Sequence, residues 1–282
     1  MNPFGVLYNP PSIQKVLRYA LGNESPPPQT FLQNGGVHLN YDFHSELSTL
    51  EEHELPMRIN TIISSTHQFL LKTNWLIITL GTAWVYERRD TGEVVANCHK
   101  LPSVSFSKRL LQEQEIVNSF EAFYKELIIR NPEIKIILTV SPVRHLKETL
   151  ELNSVSKSIL RTACFQLTKS YLGVDYFPAY EIMIDELRDY RFYKADLIHP
   201  SAVAEDHIWE KFGHRYFTPE LQKFIQHCAP IERALKHRSF HPSSLGHQQF
   251  LKETLKKLEE LKSMVNVDVE INALKSQLVS NT

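Results

Sequence analysis

The segment Trp75-Leu76-Ile77-Ile78-Thr79-Leu80-Gly81 decides the fold class. Six consecutive, mostly apolar residues that end at a glycine are typical of a parallel strand buried on both faces. Two further segments of this kind occupy residues 134–140 and 174–177, and a proline follows each within two residues. These three segments are therefore the predicted strands of one parallel sheet.

Helical segments separate the predicted strands. Apolar residues recur at helical spacing over about residues 57–72, 113–130, 154–172 and 201–217. Alternating strands and helices predict an α/β domain with a three-layer, doubly wound parallel sheet of the flavodoxin-like kind. Functional groups are then expected on the loops at the carboxyl ends of the strands, after Leu80, Val140 and Phe177.

The composition changes near residue 245. Residues 1–245 carry the α/β pattern, whereas residues 246–282 contain an amphipathic helix. Its apolar side carries Leu251, Leu255, Leu258 and Leu261. The second segment is therefore predicted to be a C-terminal helical extension, which either docks on the domain or pairs with a second copy in a homodimer.

Composition also argues against several kinds of partner. The 282 residues carry 31 Lys and Arg against 32 Asp and Glu, without the basic excess of a nucleic-acid-binding protein. No apolar run reaches the roughly 18–20 residues that span a bilayer, so no membrane partner is expected. The cysteines, Cys98, Cys164 and Cys228, are odd in number and far apart, which favours a reducing compartment. We predict a cytoplasmic protein, with export left open because a preceding segment could carry a signal.

The segment Asp196-Leu197-Ile198-His199-Pro200 is the sharpest local signal for chemistry. A carboxylate three residues before a histidine can accept a hydrogen bond from one imidazole nitrogen, which leaves the other nitrogen free as a general base. The alternative is a surface pair that only caps the next helix. We expect Asp196 and His199 to be hydrogen-bonded, with His199 facing the sheet edge that carries Gly81.

Several linked blocks of the sequence resemble the GSCFA family. They are Asn2–Pro10, Leu80–Tyr86, Ala96–Pro102, Thr139–His145, Asn153–Lys157, Tyr176–Glu181, Asp185–Tyr193 and Asp196–Pro200. The resemblance runs from the first residue to about Pro242. The family is similar to SGNH hydrolases, which mostly cleave or transfer acyl groups on esters, often of carbohydrates. The resemblance therefore implies an O-acyl esterase or acyltransferase that acts on a carbohydrate-like ester and needs no cofactor.

The resemblance also implies an oxyanion hole. Gly81 falls at the start of the SGNH block that supplies part of this hole, and Gly5 corresponds to a second oxyanion glycine. Ala83 stands where that block has an asparagine, so Thr82 or Asn97 is expected to supply the missing donor. Each such donor can be worth roughly 3–4 kcal/mol of transition-state stabilisation.

The motif that names the family, Gly-Ser-Cys-Phe-Ala, is absent from the sequence. By resemblance, Asp196 and His199 are the orienter and the base, and the nucleophile would be the Ser or Cys of that motif on a first strand. We therefore expect a truncated sheet without this strand, little activity of the chain alone, and a poorly paired or displaced segment at Phe4–Tyr8. A non-catalytic binding protein and a fragment of an intact enzyme are the alternatives.

Other reactive side chains are expected to have lesser roles. Cys98 is next to His99, but neighbours in an extended segment point to opposite sides, so Cys98 is not the expected nucleophile. Ser141 is expected to shape a turn. Arg144 and His145 are predicted to bind substrate, where the guanidinium could hold a carboxylate or phosphate or instead form a salt bridge.

A metal or nucleotide site is not expected. His237 and His241 stand four residues apart, but Pro242 follows at once and no Cys-x₂-Cys accompanies them. The sequence has no Gly-x-Gly-x-x-Gly, which argues against a dinucleotide site.

Overall fold

The computed structural model describes residues 2–278, and the chain divides into two compact units. The first unit ends at Ile208. In chain order it contains α1 (Pro10–Gly22), β1 (Phe31–Asn34), β2 (Val37–Asn40), α2 (Glu54–Lys72), β3 (Trp75–Leu80), β4 (Trp84–Arg88), β5 (Val94–Val95), β6 (Phe106–Leu110), α3 (Glu113–Arg130), β7 (Lys135–Val140), α4 (Leu150–Ser170), β8 (Val174–Phe177) and α5 (Ala179–Glu181).

The three predicted strands form a parallel sheet in the order β3-β7-β8. Trp75 lies opposite Lys135, and Leu80 lies opposite Val140, so β3 and β7 end side by side. The loops that follow these two strands therefore meet at one edge of the sheet, as the sequence predicts. The coarse prediction, an α/β fold with adjacent parallel strands, is confirmed.

The prediction that β3 is buried on both faces is wrong. The side chains of Trp75 and Ile77 are 45% and 52% exposed, whereas Ile78 and Leu80 are buried. Among the described residues β3 is the edge strand of its sheet, and a cavity runs along it. The central strand is β7, which is buried from its second residue onward.

Two small antiparallel sheets lie where the sequence predicts loops. β1 and β2 form a hairpin, and β4 pairs with both β5 and β6. The strands of these sheets are two to five residues long, and all except β5 contain polar residues. Segments this short show too few alternations to be distinguished from loops by sequence.

The N-terminal segment Phe4–Tyr8 joins no strand, which confirms that it is poorly paired. It is nevertheless anchored at both ends. Phe4 is buried, with its ring 5.8 Å from that of Phe43. At the other end, the Tyr8 carbonyl accepts hydrogen bonds from the loop that follows β3.

The second unit begins at Trp209, within α6 (Ala202–Tyr216). It continues with α7 (Pro219–Lys236), α8 (Leu245–Leu261) and α9 (Asp268–Lys275). The leucine stripe of the predicted extension lies on α8, where Leu251, Leu258 and Leu261 are buried in a small apolar core that belongs to this unit. Along residues 2–278, every helix is too short or too polar to cross a membrane.

Candidate active site

A cavity of about 1200 Å³ lies beside β3 and reaches the carboxyl ends of β3 and β7. Its apolar part is lined by β3 itself and by side chains of α1 and α2. Its polar part is lined by Tyr8, Gly81, Thr82, Ser141, Arg144, His145 and His199. The cavity thus lies at the sheet edge where the sequence predicts functional groups.

The Asp196-x-x-His199 segment forms a compact turn at this cavity. Asp196 Oδ1 accepts hydrogen bonds from the backbone N–H groups of Ile198 and His199, at 2.9 and 3.0 Å. Asp196 Oδ2 lies 2.7 Å from His199 Nδ1, which confirms the predicted hydrogen bond. Between them Leu197 has φ of 56°, in the left-handed region that closes such a turn.

Hydrogen bonds set the protonation states of this pair. The His199 and Ile198 amides, followed by the His199 ring, hold the pKa of the Asp196 carboxyl well below its usual range. A carboxylate accepts only, so the bond at 2.7 Å places a proton on His199 Nδ1. In the neutral imidazole, His199 Nε2 then carries the lone pair, and no described residue hydrogen-bonds it. His199 also lines the cavity together with Gly81, as the sequence predicts.

The loop after β3 presents two backbone amides to one oxygen. The N–H groups of Gly81 and Thr82 donate to the Tyr8 carbonyl at 2.8 and 3.1 Å. The next amide, of Ala83, donates to Ser156 Oγ at 2.8 Å. In this structure the two predicted oxyanion donors are therefore paired with Tyr8, and a substrate oxygen would have to replace that carbonyl.

Arg144 supports the turn that holds the dyad. Its Nη1 donates to the Leu197 carbonyl at 3.1 Å, and its backbone N–H donates to the Ile198 carbonyl at 3.2 Å. The guanidinium carbon also lies 3.9 Å from the centroid of the Tyr193 ring. Among the described residues Arg144 therefore stacks and donates to backbone, and it forms no salt bridge.

His145 is a second imidazole in the same cavity. Burial and the neighbouring Lys157 lower the pKa of His145 to about 4, although the ring also interacts with the Gly81 carbonyl. Its backbone N–H donates to Asn153 Oδ1 at 2.9 Å. His145 is thus a neutral, partly buried group between Tyr8 and Gly81.

The model of the GSCFA family matches residues 1–212, which is more than half of the chain. The chain belongs to the GSCFA family. A second model, for the C-terminal domain of GSCFA domain proteins, matches residues 228–280. No curated protein and no solved structure matches the chain. The family is therefore shown, whereas the reaction has to be inferred from the site.

Two predicted site residues of this GSCFA chain lie outside the cavity lining. Gly5 has φ of 76°, and a Cβ there would lie 2.3 Å from His44 Cβ, so a close backbone approach explains this glycine. Asn97 uses its side chain locally, since Nδ2 donates to Ser45 Oγ and Oδ1 accepts from the His99 N–H. The structure does not bring either residue to the cavity that holds the dyad.

Cys98 and Ser141 have the minor roles expected of them. Burial raises the pKa of the Cys98 thiol, which disfavours a reactive thiolate, and Cys98 does not line the cavity. Ser141 Oγ accepts from the Val143 N–H at 3.2 Å and so shapes the turn after β7. Within residues 2–278 no group of three His, Cys, Asp or Glu side chains could hold a metal ion.

The residues of α4 that support the site were assigned no role from the sequence. Asn153, Ser156 and Lys157 are all buried and occur at helical spacing on one side of α4. Lys157 Nζ donates to the carbonyls of Gly81 and Ser141 at 2.6 and 2.7 Å. Their i, i+3, i+4 spacing is the signal in the sequence that could have indicated a buried polar stripe on this helix.

Proposed function

We propose that this protein catalyses acyl-ester chemistry, as an O-acyl esterase or acyltransferase, with His199 as general base and Asp196 as its orienter. The observation that carries the proposal is the 2.7 Å bond between Asp196 and His199 at the edge of a large cavity. The free Nε2 can take the proton of an attacking hydroxyl or thiol and then return it to the leaving alkoxide. Asp196 stays ionised and keeps the imidazole in the required tautomer.

A ring-shaped polar substrate, such as a carbohydrate ester, fits the lining of the cavity. Trp84 and Tyr86 are two positions apart on β4 and so lie on the same face of the strand. Both line the cavity together with Lys108 of β6. The Lys108 ammonium lies 5.0 Å from the Trp84 ring and 5.4 Å from the Tyr86 ring, and it pairs with Glu148. Aromatic faces beside a donor and an acceptor can bind the apolar face and the hydroxyl edge of a sugar ring.

We further propose that the nucleophile is a serine or cysteine on an extended segment that pairs with β3 and completes a larger, doubly wound sheet. Two observations support this step. No described residue offers a hydroxyl or thiol to His199 Nε2, and β3 is an edge strand with a cavity beside it. The half-exposed Ile77 side chain is the kind of surface that another strand or its neighbours would cover.

A non-catalytic binding protein is the second candidate. The pairing of the Gly81 and Thr82 amides with the Tyr8 carbonyl favours it, because those donors are unavailable to an oxyanion while Tyr8 remains in place. Such a protein would bind a ligand in the cavity without catalysing a reaction.

The coding sequence upstream of Met1 separates the two candidates. The enzyme hypothesis predicts an in-frame upstream sequence that encodes a strand ending in Gly-Ser-Cys-Phe-Ala. The longer protein should then hydrolyse p-nitrophenyl acetate with an initial burst, and the 282-residue chain should not. His199→Ala should lower kcat by about 10²–10⁴-fold. His207→Ala is the matched control, since His207 also pairs with a carboxylate, that of Glu186, at 2.9 Å.

Absence of such a segment, or a longer protein that does not hydrolyse the ester, would favour the binding protein. A burst that His199→Ala leaves unchanged would show instead that His199 is not the base.

A further inference from the structure

The Gly81 and Thr82 amides form a site for a single oxygen atom. Two successive N–H groups converge on one acceptor, at 2.8 and 3.1 Å, and in this structure that acceptor is the Tyr8 carbonyl. Convergent backbone donors at these distances are what stabilises an oxygen on which negative charge develops. The strength of the two donors therefore matters for any acyl transfer in this cavity.

Both donor peptides are hydrogen-bonded at their carbonyl ends as well. The Leu80 carbonyl, which shares a peptide group with the Gly81 N–H, accepts from the Ser141 N–H at 2.9 Å. The Gly81 carbonyl, which shares a peptide group with the Thr82 N–H, accepts from Lys157 Nζ at 2.6 Å. A hydrogen bond to the oxygen of a peptide group strengthens its N–H as a donor. Lys157 thus acts on the Thr82 amide through one peptide group.

Packing alone does not explain a lysine at this position. The Lys157 side chain is fully buried, and no described carboxylate pairs with it. Its other neighbours are the neutral His145 and the Tyr180 ring, whose centroid is 6.0 Å from Nζ. Burying an ammonium group without an anion is unfavourable, so an apolar side chain would suit a purely structural role better.

We propose that Lys157 is a positioning residue of the acyl-transfer site, whose ammonium group fixes the Gly81 and Ser141 carbonyls and polarises the Thr82 amide toward the shared oxygen position. The link to catalysis rests on the proposed function. The effect on the amide is a property of this fold, whether or not the protein hydrolyses esters. The two parts can therefore be tested separately.

NMR spectroscopy of the protein labelled with ¹⁵N and with ¹³C-lysine tests the effect on the amide. Burial lowers the pKa of Lys157 to about 7, so its charge is lost within the range pH 5–9. His145, with a pKa of about 4, remains neutral over that range. We expect the Thr82 amide proton to move upfield with the same midpoint as the Lys157 Cε resonance. Lys157→Met should abolish this movement, and Lys169→Met, at an exposed position of the same helix, should not.

A Thr82 amide that stays constant while Lys157 titrates would overturn the proposal, as would a titration that persists in Lys157→Met. If Lys157→Met does not fold, the comparison of the Thr82 amide and Lys157 Cε midpoints in the wild type is sufficient to test the proposal. In the longer protein that the proposed function predicts, Lys157→Met should lower kcat by about tenfold or more with KM little changed, because the donors act on transition-state charge. A protein with no esterase activity would refute the proposed function and leave the NMR result standing.

Discussion

At the scale of single residues, the candidate site is a set of side chains whose chemistry is set by backbone groups. Asp196 is ionised because two amides and an imidazole donate to it, and Lys157 is buried because two carbonyls accept from it. Each side chain stabilises the loop whose backbone groups it contacts, since removing either side chain would leave those groups without partners. The two residues therefore connect local structure with chemistry.

Asp196→Asn should invert the tautomer of His199. The Ile198 and His199 amides need an acceptor at the Oδ1 position, so the asparagine has to turn its NH₂ group toward His199 Nδ1. Nδ1 then becomes the acceptor, and the proton moves to Nε2, which can no longer act as a base. Ring ¹⁵N shifts measured above pH 8 report this change directly. Asp189→Asn is the control, because Asp189 accepts the Arg191 amide in a similar turn that holds no histidine; an unchanged His199 tautomer in Asp196→Asn would contradict the assignment.

Gly5→Ala should destabilise the first unit strongly. A side chain at φ of 76° costs about 1–2 kcal/mol, and the new Cβ would also lie 2.3 Å from His44 Cβ, which adds about 1–3 kcal/mol of overpacking. Gly35→Ala is the matched control, because Gly35 has φ of 59° and open space around it. Urea unfolding should show the larger loss for Gly5→Ala, and equal losses would mean that the contact with His44 is readily relieved.

Sequence predicts local residue pairs better than distant ones. Asp196 and His199 are three positions apart, so spacing alone predicts their hydrogen bond. Lys157 and Gly81 are 76 positions apart, and the Tyr8 carbonyl meets Gly81 across a similar gap. Such contacts depend on how helices and loops pack, which a single sequence does not record. This explains why the dyad was found and its supporting residues were not.

At the scale of elements, α4 connects the loops that follow β3 and β7. Asn153 accepts from the His145 amide, Ser156 from the Ala83 amide, and Lys157 donates to the carbonyls of Gly81 and Ser141. These four backbone groups lie in the two loops that follow β3 and β7, and they line or adjoin the cavity. The first half of α4 therefore acts as the support of the site.

Ser156→Ala should lower the free energy of unfolding by about 1–3 kcal/mol, because the Ala83 amide would lose its buried acceptor. The Thr82 hydroxyl, which shares a 3.1 Å hydrogen bond with Ser156, would lose a partner as well. Ser158→Ala, at an exposed position of the same helix, should change stability by no more than about 0.5 kcal/mol. The two variants make the same change in helix propensity, so their difference in urea unfolding isolates the hydrogen bonds. Similar values for both would show that the Ala83 amide finds another acceptor.

Elements with a clear apolar pattern were predictable, and elements whose pattern charged residues interrupt were not. The bounds of α3, Glu113–Arg130, and of β8, Val174–Phe177, agree with the sequence prediction. The sequence does not predict β4 and β6 because charged residues interrupt their apolar pattern, and it does not predict β5 because that strand has only two residues. The burial of β3 was overestimated because an apolar run shows that a strand is buried somewhere, without showing what covers it.

At the scale of the whole molecule, a buried amine couples the stability of the fold to pH. Lys157 has a pKa of about 7 in the folded protein and about 10.5 in an unfolded chain. Between these values the unfolded state binds one more proton, so the free energy of unfolding rises with pH, by at most about 1.4 kcal/mol per pH unit. Below pH 7 both states are protonated, and the contribution is constant.

The window from pH 7 to 9 lies within the range in which Lys157 changes the free energy of unfolding. His145, with a pKa of about 4, is neutral in the folded protein over that range, and an unfolded histidine is mostly neutral there as well. Above pH 9 Cys164 opposes the trend, because burial raises its pKa to about 12 and the unfolded thiol then loses its proton first. Burial also lowers the pKa of Lys108, which adds to the same trend. Urea midpoints measured at pH 7, 8 and 9 should therefore rise for the wild type and for Lys169→Met, and rise clearly less for Lys157→Met. Parallel rises in all three proteins would assign the pH dependence to another group, and a flat wild-type profile would mean that Lys157 keeps an ordinary pKa inside the fold.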